Sequence, residues 1–433
     1  MNGTPEAPPG RRERAVDVLV VGAGPAGLAL ASRLAAEDGV GVEVVEREDE
    51  PGGAPRHCRH SGFGLRDLRR PTTGPAYARH WADTALRAGA TLRTGVTVTG
   101  WSDGPDPDRP ALDVTSAAGL ERITARAVVL ATGARERPRS ARLVPGTRPA
   151  GVFTTGELQR TVALGRGPVG RRAVVVGAEA VSYSAVRALR RNGVEVVAVV
   201  TELPYPQVSP ATALDARLRH GAPLVVGARV DELLGRGRLS GVVLRRHDGR
   251  SRTLDCDTVV FTGDWIPDHE LARRGGVALD PGTRGPAVDG SFRTNRPGVF
   301  AVGNVLHGIE PAATAAREGL LAAGPVLRAL AGGGHPGEPV PVRVEAPLLW
   351  VAPNRIDLAD PGVATGGFVL RTGSRLVPWS SLVVVRGGRV LHRQRLVGGA
   401  VPNRTLRLSA AWTAGVGAGT GPDEGPVRIS VVR

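Results

Sequence analysis

The 433-residue sequence contains only two cysteines, Cys58 and Cys256. A disulfide framework and a metal or cluster site with four cysteine ligands are therefore excluded. Low cysteine usage fits a reducing compartment, so we expect a cytoplasmic protein.

Lysine is absent from the sequence, and aromatic residues make up only 3%. All 56 basic residues are arginines, and with 41 acidic residues they leave a net charge of +15. A nucleic-acid-binding protein usually concentrates positive charge on one face, often with interleaved aromatic side chains. Here the arginines are spread along the chain, so we expect no nucleic-acid partner. The charge instead favours an acidic partner protein or an anionic substrate.

Long hydrophobic runs are also missing. The amino-terminal segment MNGTPEAPPGRRERA is polar and lacks the apolar core of a signal peptide. The uncharged run from Val18 to Ser32 is interrupted by Gly and Pro, and it is shorter than the roughly 20 apolar residues that a membrane span needs. We therefore expect no membrane span, and we interpret residues 1–14 as a disordered tail.

Residues 18–47 have the pattern of a dinucleotide-binding unit. A β-branched run leads into a Gly-x-Gly-x-x-Gly turn, an Ala- and Leu-rich helix follows, and a second strand ends in an acidic residue. The first glycine permits a tight turn, the second lets the backbone approach a pyrophosphate, and the third lets the helix pack on the strand. The helix amino terminus offers N–H groups to the phosphates, and the acid is placed to bind a ribose. The predicted contacts are Gly22, Ala23, Gly24, Pro25, Ala26, Gly27 and Glu46.

Three later signals favour FAD over NAD as the ligand. A Gly-Gly pair follows the second strand, residues 126–133 read as a buried strand ending in Ala-Thr-Gly, and residues 298–304 as another ending in Gly-Asn. Over about residues 15–330, this set resembles the two-dinucleotide-domain flavoproteins of the pyridine nucleotide–disulfide oxidoreductase class. Asn304 departs from the aspartate that is usual in that class. The further FAD contacts that we predict are Arg47, Gly52, Gly53, Val96, Ala131, Thr132, Gly133, Gly303, Asn304, Thr314 and Ala315.

The predicted fold class is α/β, with two Rossmann-like three-layer domains of the FAD/NAD(P) type and a small C-terminal all-β domain. We expect the FAD-binding domain at residues 15–150 and 281–334, and an inserted NAD(P)-type domain at 151–280. Short β-branched runs separated by Gly, Pro and Asn predict the β domain over 340–433, and the run VVVRGGRVL predicts a hairpin. This domain is interpreted either as a packing or oligomerisation module or as a docking surface for an electron-transfer partner.

Residues 173–202 repeat the strand, turn, helix and strand of the first unit but have lost its nucleotide contacts. Gly177 keeps the first glycine, whereas Glu179 replaces the second, Ser182 the third and Ala198 the acidic residue. Two like charges about 4 Å apart cost about 4 kcal/mol at an effective dielectric near 20, so Glu179 would oppose a pyrophosphate. NAD(P) binding is therefore doubted. The alternative is that Glu179 turns aside and Glu202 takes the ribose.

The candidate catalytic residues come mainly from the segment 52–77, which the resemblance lays over the flavin ring. A cation near the N1–C2=O edge stabilises reduced flavin. The disulfide reductases of the class use a cysteine pair a few residues apart, which is missing here, so dithiol reduction is not expected. Cys58 is interpreted either as a reactive thiolate or as a plain small residue under the flavin. The candidates are Arg56, His57, His60 and, near the last helix, His307; no metal site is predicted.

The same segment resembles the flavin subunits of multi-subunit dehydrogenases, namely the sarcosine oxidase alpha, opine and proline dehydrogenase and hydrogen cyanide synthase families. Those relatives often add a cysteine-rich cluster domain, whereas no cysteine follows Cys256 here. We expect FAD-dependent oxidation of a small amine, amino acid or hydroxy compound, with electrons passed to a partner dehydrogenase subunit in an oligomer. Two alternatives stay open: an NAD(P)H-dependent flavin reductase and a non-catalytic flavin-bound scaffold subunit.

Overall fold

The computed structural model describes residues 11–103, 106, 109–165, 167–308, 310–333, 339–359, 366–417 and 424–432. Residues 1–10 of the predicted tail and residues 334–338 of the Gly/Pro-rich segment lie outside the described residues.

Helices and strands follow one another in an order typical of nucleotide-binding proteins. The first part of the chain forms β1 (Arg12–Val21), α1 (Pro25–Leu34), β2 (Val42–Val45), α2 (Gly74–Arg87), β3 (Thr91–Arg93), β4 (Thr97–Ser102), β5 (Ala111–Ser116) and β6 (Gly119–Leu130). The middle part forms β7 (Ala134–Glu136), β8 (Val152–Thr154), α3 (Thr155–Ala163), β9 (Arg172–Val176), α4 (Ala180–Arg191), β10 (Glu195–Thr201), α5 (Pro210–His220), β11 (Leu224–Val226), β12 (Ala228–Leu234), β13 (Gly241–Arg246), β14 (Ser251–Asp255), β15 (Thr258–Phe261), β16 (Trp265–Pro267) and α6 (Glu270–Arg274).

The chain then adds one strand and two helices before it enters its final strands. These elements are β17 (Val299–Ala301), α7 (Asn304–His307) and α8 (Ala312–Leu330). The final part forms β18 (Val340–Val344), β19 (Leu348–Ala352), β20 (Arg355–Ile356), β21 (Phe368–Thr372), β22 (Ser381–Arg386), β23 (Arg389–Arg395), β24 (Leu406–Leu408) and β25 (Val427–Val432).

The first sheet is parallel in the order β3–β2–β1–β6–β17. Strands β4 and β5 extend it as an antiparallel meander on the first half of β6. The last four residues of β1 and of β6 are all buried. Uninterrupted β-branched runs favour such strands because both faces of a parallel sheet are covered.

Strand β1 begins before the point that the sequence indicated. The prediction of a tail over residues 1–14 was wrong for residues 12–14, because Arg12–Val16 pair in register with residues 121–125 of β6. An ion pair of 2.7 Å between Arg14 and Glu43 adds to this pairing. Exposed charged residues give no strand signal by themselves, and only the distant partner strand makes them extended.

The second sheet is parallel in the order β11–β10–β9–β15–β8. A separate antiparallel meander, β12–β13–β14, packs beside it. Strands β7 and β16 form an antiparallel pair, with Ala134 opposite Pro267, where the chain leaves and re-enters the first sheet's region. The α/β class with two nucleotide-type sheets is thereby confirmed.

The C-terminal strands form two sheets, β20–β18–β25–β22–β23 and β19–β21–β24, around a separate apolar core. The predicted hairpin is present as β22 and β23, with Arg386 opposite Arg389. Its turn residues Gly387 and Gly388 have φ of 54° and 78°. Two consecutive left-handed residues match the twist of a two-residue hairpin and strongly favour glycine.

Candidate flavin site

The glycine turn after β1 combines close packing with open space. A Cβ on Gly22 would lie 2.5 Å from the carbonyl oxygen of Ala131, and a Cβ on Gly27 would collide with the carbonyl of Gly22. At Gly24 the corresponding position has no atom within 4 Å. The outer glycines thus allow the turn and the helix to approach the sheet, while Gly24 borders room for a ligand.

Helix α1 directs its amino terminus into that room. Gly24 is the N-cap residue and supplies no capping side chain, and Pro25 occupies the first turn without an N–H of its own. The first N–H groups of an α-helix have no intrahelical acceptor, and the helix dipole adds partial positive charge there. Ala26 and Gly27 therefore present backbone donors suited to a pyrophosphate.

Glu46 lies at the end of β2 and is held toward the glycine turn. Its Oε2 accepts a hydrogen bond of 2.9 Å from the N–H of Ala23, and its Oε1 accepts one of 3.0 Å from the N–H of Glu48. Each carboxylate oxygen keeps a second lone pair, which suits ribose hydroxyls. Val96 is buried beside it, with its N–H bonded to the carbonyl of Glu46, whereas Arg47 is exposed and lies 3.8 Å from Asp268.

The Gly-Gly loop after β2 lies directly against the glycine turn. The N–H of Gly52 donates to the carbonyl of Ala23 at 2.7 Å, and a Cβ on Gly53 would lie 3.0 Å from the Cα of Gly24. Both loop glycines have positive φ, 125° and 60°. The loop therefore closes one side of the open space and leaves no room for side chains there.

The Ala-Thr-Gly segment after β6 forms another wall. Ala131 is 7% exposed, and Thr132 donates from Oγ1 to the carbonyl of Asp268 at 2.7 Å. Gly133 has a φ of 75° and, like Gly24, no atom within 4 Å of its Cβ position. Two open glycines thus lie at the carboxyl edge of the same sheet.

The late motif follows β17 and reaches the same edge, because Ala301 is in register with the last residue of β6. A Cβ on Gly303 would lie 2.6 Å from the Cβ of Ala26. Asn304 donates from Nδ2 to the carbonyl of Glu310 and accepts from its N–H, both at 3.1 Å. A carboxylate could accept the second bond but not donate the first, which gives a physical reason for asparagine at this position.

These walls bring the predicted cofactor residues from β1, β2, β6 and β17 to one edge of the first sheet. Thr314 and Ala315, in the first turn of α8, are buried nearby. The open positions at Gly24 and Gly133, the helix amino terminus and the acidic Glu46 together fit an FAD molecule that extends across this edge.

The predicted catalytic residues do not form one cluster. Arg56 binds Glu48 at 2.8 Å and Glu50 at 3.3 Å, and His57 lies 3.6 Å from Glu48. Burial and the neighbouring Arg56 lower the pKa of His57. His60 stacks on a phenylalanine ring at a centroid distance of 5.2 Å, and burial, with nearby arginines, lowers its pKa to about 4. Both histidines are therefore neutral near pH 7.

Cys58 is a weakly acidic thiol. Its Sγ lies 3.1 Å from Oε1 of Gln159, and burial, with the charge of Glu136, raises its pKa to about 12. Burial likewise raises the pKa of Cys256 to about 12. Burial and the charge of Glu136 both oppose the thiolate, which argues against the interpretation of Cys58 as a reactive thiolate.

His307 contacts none of the other three candidates in the described contacts and instead packs against Trp350 of β19. Its side chain is 1% exposed and its Nε2 lies 2.9 Å from Oε1 of Glu318. The ring stacks on Trp350 with a centroid distance of 5.8 Å. Glu318 also accepts a hydrogen bond from the N–H of Gly303, so His307 is connected to the late motif through that carboxylate.

The second nucleotide-type unit has a glycine turn equivalent to that of the first, and we call the space beside each turn its nucleotide cradle. A side chain of the protein occupies the second cradle. Glu179 is 2% exposed, and its Oε2 lies 2.8 Å from the Cβ position of Gly177. Its Oε1 lies 3.0 Å from the Cβ position of Gly263, which follows β15 as Gly133 follows β6. Hydroxyls of Ser182 and Thr262 lie beside the carboxylate and are 2.7 Å apart. The side chain thus lies in the space that stays open in the first cradle.

A buried acid next to this cradle carried no sequence signal. Glu136 on β7 is 8% exposed and accepts a hydrogen bond of 2.7 Å from the N–H of Gly156. Burial, together with the charge of Glu179, raises the pKa of Glu136 to about 7, and burial also raises the pKa of Glu179. In the described part of the chain, Oε1 of each carboxyl is buried without a hydrogen-bond partner.

Strands β21 and β24 cover the loop before α8 with polar groups that the sequence did not reveal. Arg371 and Glu310 form an ion pair in which both side chains are almost completely buried. Thr405 adds a hydrogen bond of 2.9 Å to Glu310. A charged residue inside the run Val369 to Thr372 could have indicated such a buried partner, because lone charges are rarely buried.

No helix in the described ranges is long and apolar enough to cross a membrane.

Comparison with known proteins identifies the family and some relatives. The family model described as Pyridine nucleotide-disulphide oxidoreductase matches residues 16–319. An opine oxidase subunit of Agrobacterium tumefaciens (strain Ach5) is 30% identical over 339 residues, which cover 71% of this chain and 64% of the relative. The alpha subunit of sarcosine oxidase from Rhizobium meliloti (strain 1021) is 31% identical over 274 residues, which cover 60% of this chain and 25% of the relative. The resemblance inferred from the sequence is thereby confirmed, although the chain spans less than two thirds of either relative.

A solved structure supports the fold. The thioredoxin reductase of T. acidophilum matches with a TM-score of 0.60 at 24% identity, covering 72% of this chain and 98% of that chain. At this identity the likeness concerns the FAD/NAD(P)-type α/β fold alone.

Proposed function

We propose, on the premise that the chain belongs to the pyridine nucleotide-disulphide oxidoreductase family of flavin-dependent oxidoreductases, that it is an FAD-dependent dehydrogenase or electron-transfer subunit. In this proposal a small amine, amino acid or hydroxy compound donates electrons to FAD, and a partner protein accepts them.

The contrast between the two cradles carries the proposal. At Gly24 and Gly133 the ligand space is open, whereas at the equivalent positions of the second unit the carboxylate of Glu179 fills it. A nucleotide pyrophosphate would have to displace a buried, hydrogen-bonded side chain from this place. We therefore infer that electrons do not enter from NADH or NADPH.

Bound FAD would supply the redox chemistry: it would accept a hydride, which is two electrons and a proton, from the carbon that bears the amine or hydroxyl group, while the N–H or O–H proton would leave to solvent. The chain's own residues would hold it: α1 donates N–H groups to the phosphates, Glu46 accepts from the ribose, and Asn304 keeps the late loop in place. Arg56 is neutralised by Glu48 and Glu50, which argues for a role in shaping the 54–57 turn rather than in contacting substrate.

Reduction of a disulfide substrate is disfavoured by the cysteines. Cys58 and Cys256 are 198 positions apart in the sequence and both are free. Their raised pKa values leave almost no thiolate at neutral pH. We therefore propose that this chain does not use a dithiol relay.

A partner protein is proposed from the relatives. Two of them are named as subunits of oxidases, and a partner subunit is therefore the candidate acceptor for the electrons of the reduced flavin. The C-terminal strands would then contribute to the assembly, either by packing or by presenting a docking surface.

The test is to mix the FAD-bound protein anaerobically with each candidate electron donor and to monitor flavin reduction as the loss of its visible absorbance. We expect millimolar NADH and NADPH to leave the flavin oxidised, and a member of a panel of amines, amino acids and hydroxy acids to bleach it. Bleaching by either nucleotide within seconds would refute the inference from Glu179. Bleaching by no compound of the panel, even after addition of a co-purifying partner, would contradict the dehydrogenase itself.

Variants of the filled cradle sharpen this test. Glu179→Gly should open the space and give measurable NAD(H) binding in calorimetry, although Ala198 still lacks a ribose acceptor. Glu179→Gln keeps the volume and removes the charge, so it should remain unable to bind. Equal binding by both variants would mean that charge, and not occupancy, closes the cradle.

A further inference from the structure

A cavity lies between the C-terminal strands and the helices α7 and α8, and Thr314 is the one predicted FAD contact among the described residues that line it. Its empty volume is about 470 Å³, part of it open to solvent. One wall is the sheet β19–β21–β24, whose strand β21 contributes Val369, opposite Arg407 of β24. The other wall includes His307 of α7 and the first turns of α8.

The lining is divided between positive polar groups and hydrocarbon. Arg317 and Arg407 are exposed side chains of the lining, and Arg407 lies 3.5 Å from the hydroxyl of Thr314. The only carboxylate that we identify among the described lining residues is that of Glu318, which is already bound by His307 and by a backbone N–H. The apolar part of the lining consists of Val288, Phe292, Leu306, Leu321, Pro353 and Val369.

Two buried side chains have donors without acceptors, namely His307, which lines the cavity, and Arg371, which does not. Within the part of the chain that the structure describes, Nδ1 of His307 has no hydrogen-bond partner, and neither do Nε and Nη1 of Arg371. Both side chains are more than nine-tenths buried. They are connected through Trp350, on which His307 stacks and over which Arg371 lies at 5.3 Å. Buried donors of this kind usually have a partner, which is often a ligand or an ordered water.

The charges around the cavity favour an anion. Burial opposes a charged imidazole, but attraction to Glu318 and the hydrogen bond with it prevail, and the pKa of His307 is raised. Arg317 and Arg407 line the cavity beside His307, whose charge is matched by that of Glu318. Arg371 is matched by Glu310, and buried Asp289, between the lining residues Val288 and Gly290, adds one acid. An anion placed here would meet a net positive field in a partly desolvated site, where such attraction is strongest.

We propose that this cavity binds a small organic carboxylate, with the anionic group toward Arg407, Arg317 and His307 and the hydrocarbon body against the apolar lining. Arginine side chains match the planar carboxylate with paired N–H donors. The apolar lining distinguishes this ligand from inorganic phosphate, which has no hydrocarbon to bury. This inference does not depend on the proposed electron donor.

The experiment is isothermal titration calorimetry of the full-length, FAD-bound protein with sodium acetate, sodium butyrate and sodium phosphate at constant ionic strength. We expect saturable binding of the carboxylates, with butyrate about fifteenfold tighter than acetate, since each of its two additional methylenes contributes about fourfold when buried. Phosphate should bind more weakly than butyrate. Absence of saturation with both carboxylates, or phosphate binding as tight as butyrate, would overturn the proposal.

Variants of the arginines that line the cavity test whether butyrate binds there. Arg317→Gln combined with Arg407→Gln should weaken butyrate binding at least tenfold, whereas Arg404→Gln, an exposed arginine next to the same strand that does not line the cavity, should leave it unchanged. Unaltered binding in the double variant would place the ligand elsewhere and refute the site. Because Trp350 stacks on His307, butyrate should also change tryptophan fluorescence, and a Trp350→Phe variant that gives the same change would contradict the location. No electron donor is present in these measurements, so failure of the dehydrogenase proposal does not affect them.

Discussion

Replacing Glu136 with glutamine should remove a pH-dependent loss of stability from the region between the two nucleotide units. Glu136 is buried, and its pKa is raised from 4.5 to about 7. Below pH 4.5 the carboxyl is protonated in both the folded and the unfolded chain and has no effect on the pH dependence. As the pH rises from 4.5 through 7, the unfolded chain releases the proton first, so the folded state loses stability.

The magnitude follows from the two pKa values. A tenfold change in an equilibrium constant corresponds to about 1.4 kcal/mol, so the loss at pH 8 is about 3 kcal/mol. Glutamine can still accept the hydrogen bond from Gly156 through its amide oxygen, but it does not titrate. The Glu136→Gln variant should therefore gain about 3 kcal/mol relative to the original protein between pH 4.5 and pH 8.

The assay is urea unfolding of the FAD-saturated protein at pH 4.5, 6 and 8, because a ligand bound to the folded state must be held constant. Glu157→Gln, an exposed glutamate one turn into α3, is the matched control and should give the same pH profile as the original protein. Parallel profiles for Glu136→Gln and the original protein would refute the reasoning. A gain that already exists in full at pH 4.5 would also refute it, because titration could not be its cause.

Three further outcomes are expected. Gly24→Ala should weaken FAD binding at least tenfold in a flavin-fluorescence titration without destabilising the apoprotein, since its Cβ meets no protein atom. The control Gly100→Ala, on β4, also adds a Cβ that meets no protein atom and should bind FAD normally. Equal FAD affinity of the two variants would contradict the placement of the pyrophosphate beside Gly24. Cys58 should react with iodoacetamide at pH 8 far more slowly in the native protein than in urea, because its pKa is about 12; equal rates would mean that the thiol is not desolvated. Arg371→Gln should lower the unfolding free energy by about 3–5 kcal/mol in urea, because Glu310 would keep a buried charge without its cation; a loss below 1 kcal/mol would show that the pair is hydrated.

The features of the fold that depend on local backbone conformation could be predicted from the sequence. The glycine turns, the buried β-branched runs and the internal repeat predicted both nucleotide-type units, because these patterns depend on local conformation and on burial of whole strands. The double-glycine hairpin of β22 and β23 followed from the same local logic. Helix α8 runs without interruption from Ala312 to Leu330, although Pro325 lies inside it.

Polar contacts between residues far apart in the sequence could not be predicted in the same way. The sequence placed His307 near the flavin, and nothing local indicated that Glu318 on the next helix would bind it or that Trp350, over 40 positions later, would stack on it. Likewise, the substitution at Glu179 was visible, but its inward orientation depends on hydroxyls of Ser182 and Thr262. Such arrangements require two distant segments to be placed together before either side chain has a defined environment.

The pairing of β17 with β6 has a consequence for the order in which the protein matures during synthesis. About 170 residues separate the two strands, and at roughly 5–20 residues per second their translation takes on the order of ten to thirty seconds. During that interval the first sheet lacks its last strand, while the residues of the middle unit are being synthesised. The flavin edge is completed only when Gly303 arrives. FAD can therefore meet its complete site only after most of the chain has been synthesised, and a chain that ends before residue 299 lacks one strand of the flavin edge.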